Sequence, residues 1–257
     1  MKTHIEQGMY VREIGPAGGS PVVWIHGLGE SGLCFEGIVA HPRLAGLRHL
    51  VPDLPGYGRS APQAPPKDFA SLADHLVAWL GARREPRVDL VGHSLGGIIV
   101  LILAERHPHR VRRLVDVEGN KTAADCVYSR RAMTWSPDDF VRGGFDALRT
   151  DIADGADSDP AVLGYTRSLA LTDPATFRTH AEELVHLSDR EDLARRLHAV
   201  EPPAWYIAGG PGGAALRSLA LLRSAGVEAI RIEPSGHWPF IDQPDVFAES
   251  LASIFGV

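Results

Sequence analysis

Several stretches of the chain carry short apolar runs bounded by Gly, Pro or Asn. Pro21-Val22-Val23-Trp24-Ile25, Val88-Asp89-Leu90-Val91 and Val111-Arg112-Arg113-Leu114-Val115-Asp116-Val117 are three of them; Pro203-Ala204-Trp205-Tyr206-Ile207-Ala208 and Val227-Glu228-Ala229-Ile230-Arg231-Ile232 are two more. Their lengths and their content of β-branched and aromatic residues predict buried strands. Other stretches have a helical period. Asp68 can cap a helix that places Leu72, Leu76, Trp79 and Leu80 on one face. Ile98 to Arg106 reads as a second helix, stopped by Pro108. Its apolar run, Ile98 to Ala104, is the longest in the chain and far too short to span a bilayer.

Thr122 to Ala199 has little strand character and repeated helix-start signals. Thr122-x-x-Asp125 and Ser188-x-x-Glu191 have the form of capping boxes. Ser136-Pro137, Asp159-Pro160 and Asp173-Pro174 put Pro just inside helix starts. Four or five helices are expected. Pro62-Gln63-Ala64-Pro65-Pro66 reads as a surface linker.

The chemistry begins where the second helix does. Gly92-His93-Ser94-Leu95-Gly96 is a G-x-S-x-G turn between a strand and a helix. Such a turn holds its Ser in a strained backbone conformation and lifts the hydroxyl above the sheet. Gly92 and Gly96 are required because side chains there would clash at the crossing of strand and helix. Ser94 is therefore the candidate nucleophile, the alternative being a merely structural turn. The Leu95 amide, at the helix start, can donate to an oxyanion. His26-Gly27-Leu28-Gly29-Glu30-Ser31-Gly32 follows the first of these apolar runs and can aim a second amide, that of Leu28, at the same oxygen, a simple strand-to-helix turn being the alternative. His26 itself reads as a hydrogen-bonded scaffold residue. Of the twelve His in the chain, His237 stands in a Gly-His-x-Pro context after the last predicted strand. It is the candidate base, because imidazole titrates near neutrality; an ordinary loop His is the alternative.

These pieces, in this order, resemble the α/β-hydrolase superfamily, as does Asp53-Leu54-Pro55-Gly56-Tyr57-Gly58-Arg59-Ser60, which looks like that family's D-x-x-G-x-G-x-S turn. The resemblance covers nearly the whole chain except about 80 residues in the middle. It implies an α/β fold with an eight-stranded, mostly parallel sheet and helices on both faces. It also implies a Ser-acid-His triad at the carboxyl edge of the strands. Residues 1–120 and 200–257 would form the core, and 121–199 a helical cap inserted after the sixth strand. The cap would supply Tyr128, Met133, Trp135, Phe140, Phe145, Tyr165 and Phe177, most of them packing. Tyr128 and Trp135, with Gly27, Gly29, His93 and Trp238 from the core, are the candidate pocket residues. His180 and His186 are expected to be exposed rather than catalytic.

The acid departs from the family's common pattern. It usually follows the penultimate strand, but here Gly209 to Arg217 contains no carboxylate. Glu118 ends the strand before, just ahead of a Gly-Asn turn, a position used by a subset of the family. Asp116 has the same strand parity but lies further back in the sheet. Glu118 is the candidate acid; Asp116, a cap carboxylate or no functional acid are the alternatives.

Composition removes other classes. The net charge of −6 over 257 residues argues against a nucleic-acid surface. Two Cys, Cys34 and Cys126, give neither a disulfide framework nor metal-ligand spacing, so neither metal nor cofactor is expected. Met1 to Glu6 lacks the apolar core of a signal peptide, and a cytoplasmic enzyme without membrane contact is expected. A Ser nucleophile with a His base suits acyl chemistry and argues against dehalogenation or epoxide hydrolysis, which need a carboxylate nucleophile. The expected activity is hydrolysis of a carboxylic ester or thioester with a small-to-medium, largely apolar acyl group. Two alternatives stay open. One is acyl transfer to an alcohol or a carrier thiol, with an acyl-carrier partner. The other is non-hydrolytic use of the fold, as a receptor or a cofactor-free lyase or oxygenase.

Overall fold

The computed structural model describes residues 1–60, 68–156 and 159–257; the predicted linker at Pro62–Pro66 lies outside them. Eight strands form one sheet: β1 (Lys2–Glu6), β2 (Met9–Ile14), β3 (Pro21–Ile25), β4 (Arg48–Pro52), β5 (Val88–His93), β6 (Val111–Val117), β7 (Ala204–Pro211) and β8 (Ala229–Ser235). Their order is β1-β2-β4-β3-β5-β6-β7-β8. Pairing is antiparallel at β1–β2 and β2–β4 and parallel from β4 to β8. The order reverses at β3, so the carboxyl ends of β3, β5 and β6 lie side by side, where open α/β sheets place their sites.

The central strands are apolar without alternation because they are covered on both faces. Val22 to Ile25 are all buried, as is every residue of β5. The predicted first helix, α1 (Phe69–Ala82), is capped by Asp68, which accepts from the Ser71 amide at 2.6 Å. Leu72, Leu76, Trp79 and Leu80 face the core as expected. The second, α2 (Leu95–Arg106), is buried from Leu95 to Ala104, packed against β5, β6 and α1. That explains its lack of a polar face.

The segment from 121 to 199 is helical in its described residues: α3 (Val127–Ala132), a run from Pro137 through a π turn at Phe140–Gly144 into α4 (Phe145–Asp154), α5 (Pro160–Leu169), α6 (Pro174–Asp189) and α7 (Leu193–Ala199). Four of the five start signals act as read. Thr122 and Asp125 form a reciprocal capping box, on a single 3-10 turn; Ser136, Asp159 and Asp173 each cap a helix with Pro behind them. Ser188 does not. It lies inside α6, where its hydroxyl donates back to the Leu184 carbonyl at 2.7 Å, and α7 starts only after Asp192. The long amphipathic period of α6 overrides the local capping signal. His186 is exposed, whereas His180 is fully buried, with Nδ1 2.8 Å from the Tyr57 hydroxyl. Its helical position turns it toward the core.

Candidate functional site

Ser94 sits between β5 and α2 with φ 54° and ψ −120°, outside the regions that side-chain-bearing residues favour. The neighbouring glycines permit this. A Cβ on Gly92 would collide with the Gly96 carbonyl, and one on Gly96 with the carbonyls of Ile25 and His26. Leu95 is fully buried and is not among the residues that line the cavity around Ser94. It is the first residue of α2, a position whose amide has no partner within its own helix.

Glu118, the residue after β6, also has φ 54°. Its side chain is 1% exposed. Oε1 accepts from the Gly209 amide at 2.7 Å, and Oε2 lies 3.1 Å from His237 Nδ1. The carboxylate-free loop after β7 makes this reach possible. A Cβ on Gly213 would run into the Glu118 carboxylate, so the Gly-rich stretch leaves the space the longer acid fills. Asp116 is two residues deeper and fully buried. Its Oδ2 pairs with Lys121 Nζ at 2.7 Å, and Oδ1 accepts from the Gly119 amide at 3.0 Å. Burial pushes its pKa up, against the pull of Lys121. Lys121 is itself fully buried and donates to the Gly119 carbonyl at 2.7 Å. Asp116 thus anchors the chain leaving β6 and does not reach His237.

Ser94, Glu118 and His237 line one cavity of about 400 Å³ with Gly27, Leu28, Tyr128 and Trp238. Val127, Val162, Tyr165 and Leu184 add walls from the helical segment. Two expected pocket residues are not in this lining. Gly29, at φ 75°, is a tight turn packed against Leu169, Phe177 and Tyr165. Trp135 packs on Phe140 and against Gly144 within the helical segment. His26 is a scaffold residue as expected: Nδ1 is 2.9 Å from the Gly27 carbonyl, and Nε2 accepts from the Leu54 amide at 3.0 Å.

His93 borders the cavity, but it has no free polar atom to offer a substrate. It is fully buried, with Nδ1 2.9 Å from Glu30 Oε2 and Nε2 2.8 Å from the His237 carbonyl. A carbonyl and a carboxylate can only accept, so both ring nitrogens carry hydrogen and the ring is an imidazolium. Burial opposes that charge, and Glu30 outweighs it, so the His93 pKa is raised. Sequence reasoning passed over Glu30. Its Oε2 also accepts from the Gly27 amide at 2.6 Å, and its Oε1 from Trp238 Nε1 at 2.5 Å. Burial works against its ionisation too, but His93, Trp238 and Gly27 hold it at about 2. One carboxylate thereby ties together the Gly-rich loop after β3, the residue before Ser94 and the residue after His237. The only sequence signal for it was an acidic residue inside a turn.

Among the described residues no cluster of His, Cys, Asp or Glu could hold a metal ion, and no helix is long and apolar enough to cross a membrane.

The model of the alpha/beta hydrolase family matches residues 22–250. The pimeloyl-[acyl-carrier protein] methyl ester esterase of Edwardsiella ictaluri is 31% identical over 91% of this chain and 93% of its own length. A dihydrolipoyllysine-residue acetyltransferase component of an acetoin cleaving system from Pseudomonas putida is 37% identical over 40% of this chain, but only 27% of that protein is covered. The crystal structure of an enol-lactonase from Burkholderia xenovorans superposes with a TM-score of 0.80 over 100% of both chains at 19% identity, a likeness of fold. The match over nearly the whole chain, the sheet order and the strained Ser94 turn agree: the chain belongs to the α/β-hydrolase family and is a hydrolase.

Proposed function

We propose that the protein hydrolyses a carboxylic ester, thioester or lactone through an acyl-enzyme on Ser94. His237 takes the Ser94 proton as the hydroxyl attacks the carbonyl carbon and later returns it to the leaving group. Glu118 fixes the tautomer with hydrogen on Nδ1, leaving Nε2 as the base, and stabilises the imidazolium that forms. The Leu28 and Leu95 amides hold the oxyanion. Water, activated by His237, then releases the acid. The observation that carries this reading is the 3.1 Å contact of Glu118 Oε2 with His237 Nδ1, on the same cavity as Ser94.

In this reading residues 121–199 are a cap, and their side chains select the acyl group. The cavity of about 400 Å³, walled by Val127, Val162 and Leu184, supports a small or medium, mostly apolar one. The likeness to an esterase acting on a pimeloyl-carrier methyl ester supports an acyl chain offered either free or on a carrier.

The test combines a variant with a label. Ser94→Ala should fold normally and lose roughly 10³-fold or more of the hydrolysis of an activated ester. A fluorophosphonate should add one mass equivalent at Ser94. Labelling elsewhere, or wild-type turnover in the variant, would refute the assignment. Comparing a short acyl group as a free methyl ester and as a carrier-protein conjugate then decides which form is preferred.

A further inference from the structure

Asn120 stands two residues beyond Glu118, lines the same cavity and is 2% exposed. Its Nδ2 donates to Cys126 Sγ at 3.5 Å. The Cys126 thiol is directed to the Thr122 carbonyl at 3.9 Å, which leaves the sulfur free to accept. That arrangement orients the amide with its nitrogen on Cys126 and leaves Oδ1 to find another donor. In this structure Oδ1 is buried and has no hydrogen-bond partner. Among the described residues lining the cavity, no other buried side-chain oxygen is left so.

The carboxylates nearby differ. Asp125 Oδ1 accepts from the Ala215 amide at 3.0 Å, Asp159 Oδ1 from the Ala161 amide at 2.8 Å, and Asp242 Oδ2 from the Gly236 amide at 2.7 Å. One oxygen of each is used in holding a loop or helix start, and none of their other oxygens is both buried and without a partner. A buried acceptor without a donor costs folding free energy, so one kept at a cavity wall calls for a donor that arrives from outside. The described lining also contains no Lys or Arg, and both ring nitrogens of His93 are already used on Glu30 and the His237 carbonyl, so an anionic substrate would meet carboxylates and no free cation.

We propose that Asn120 is a specificity-determining residue whose Oδ1 accepts a hydrogen bond from an uncharged hydroxyl or amide N–H on the substrate. The inference rests on the Ser94 hydrolase reading and narrows its substrate from an apolar ester to one carrying a neutral donor. A site built around such a bond discriminates against the analogue lacking it, because the buried group is then left unpaired.

The experiment compares kcat/KM for p-nitrophenyl butyrate with the 2-hydroxybutyrate, 3-hydroxybutyrate, N-acetylglycine and 3-oxobutyrate esters, each corrected for spontaneous hydrolysis. The wild type should prefer at least one donor-bearing ester to butyrate by roughly tenfold. Asn120→Leu should erase that ratio. Asn120→Asp, which keeps an acceptor, should retain it. A general loss of activity does not move the ratio. Calorimetric binding of the matching phenyl ketones, which no hydrolase can cleave, to the wild type and to Asn120→Leu gives the same comparison without turnover. This arm reads the Asn120 bond even if the nucleophile is assigned wrongly, and Ser94→Ala turnover tests the nucleophile separately. Equal wild-type preference for all the esters, unchanged ratios in Asn120→Leu, or a preference for the oxo ester alone would each overturn the proposal.

Discussion

Ser94 and Glu118 each directly follow one of two neighbouring strands, β5 and β6, with the same positive φ, 54° in each. Neither is Gly, so each holds an unfavourable backbone conformation worth of order 1–3 kcal/mol. In Ser94 the conformation exposes a hydroxyl. In Glu118 it turns the chain out of β6 so that the carboxylate meets His237 and the Gly209 amide. Among the described residues five that are not Gly have positive φ, and only Ser94 and Glu118 of these line the cavity, which supports reading it as the functional site.

Glu118→Gln should therefore slow acylation by roughly 10²–10⁴-fold, since it keeps the size but removes the charge that stabilises the imidazolium and can hold the wrong tautomer. Asp116→Asn should leave catalysis far less affected. Burst-phase kinetics on an activated ester measures both; wild-type acylation by Glu118→Gln would disprove the role given to the acid.

The lining separates two aromatic residues that looked equivalent in the sequence. Tyr128 faces the cavity and stacks on Tyr165 at 5.3 Å, whereas Trp135 packs within the helical segment. Tyr128→Ala should shift acyl-length preference more than it changes activity on a small ester. Trp135→Ala should lower the thermal midpoint with little change in preference, because it opens a cavity away from the substrate. A rate profile over acyl lengths, read beside thermal melts, decides the matter, and a shifted profile in Trp135→Ala alone would reverse the assignment.

Glu30→Gln should weaken both stability and acylation. Breaking a buried ion pair on one side costs about 3–5 kcal/mol. The pH dependence has two limbs. Glu30 falls from 4.5 to about 2 on folding, so its contribution is present above 4.5 and is lost as pH falls toward 2. His93 rises above 6.5, so its contribution is complete below 6.5 and is lost as pH climbs through the raised value. Melting temperature against pH should show both slopes in the wild type and neither in Glu30→Gln. Identical profiles would mean that the pair does not couple to folding.

Lys121→Met should destabilise the fold by roughly the same 3–5 kcal/mol, because it leaves Asp116 buried without its cation. Lys121→Met combined with Asp116→Leu should recover much of that loss. Denaturant melts of the single and double variants measure the coupling; additive losses would show that the buried pair contributes nothing of its own.

The turn around Ser94 was legible in the sequence because it is local. Strand, glycines, Ser and helix follow within a dozen residues, and sterics alone dictate what such a run can do. The contact of Glu118 with His237 was legible by a different route. The loop after β7 carries no carboxylate, and Glu118 directly follows the strand beside it, so residue type and position left few candidates. The helix starts at Ser136, Asp159 and Asp173 were local for the same reason.

Tertiary structure decided what depends on contacts between distant parts of the chain. Glu30 joins His93 and Trp238 across 63 and 208 residues, and no spacing rule predicts such a meeting. His180 reads as a polar residue on a helix, yet the packing of α6 buries it against Tyr57. Trp135 and Tyr128 have similar sequence contexts, and only the packing of the helical segment sends one inward to its own core and the other to the cavity. Sequence by itself determined the elements, the strained turn and the residue types fit for acyl chemistry, because these follow from local sterics and hydrophobic period. Which side chains meet in the cavity, and which are spent holding the loops around it, follows from the packing of helices and strands distant in sequence.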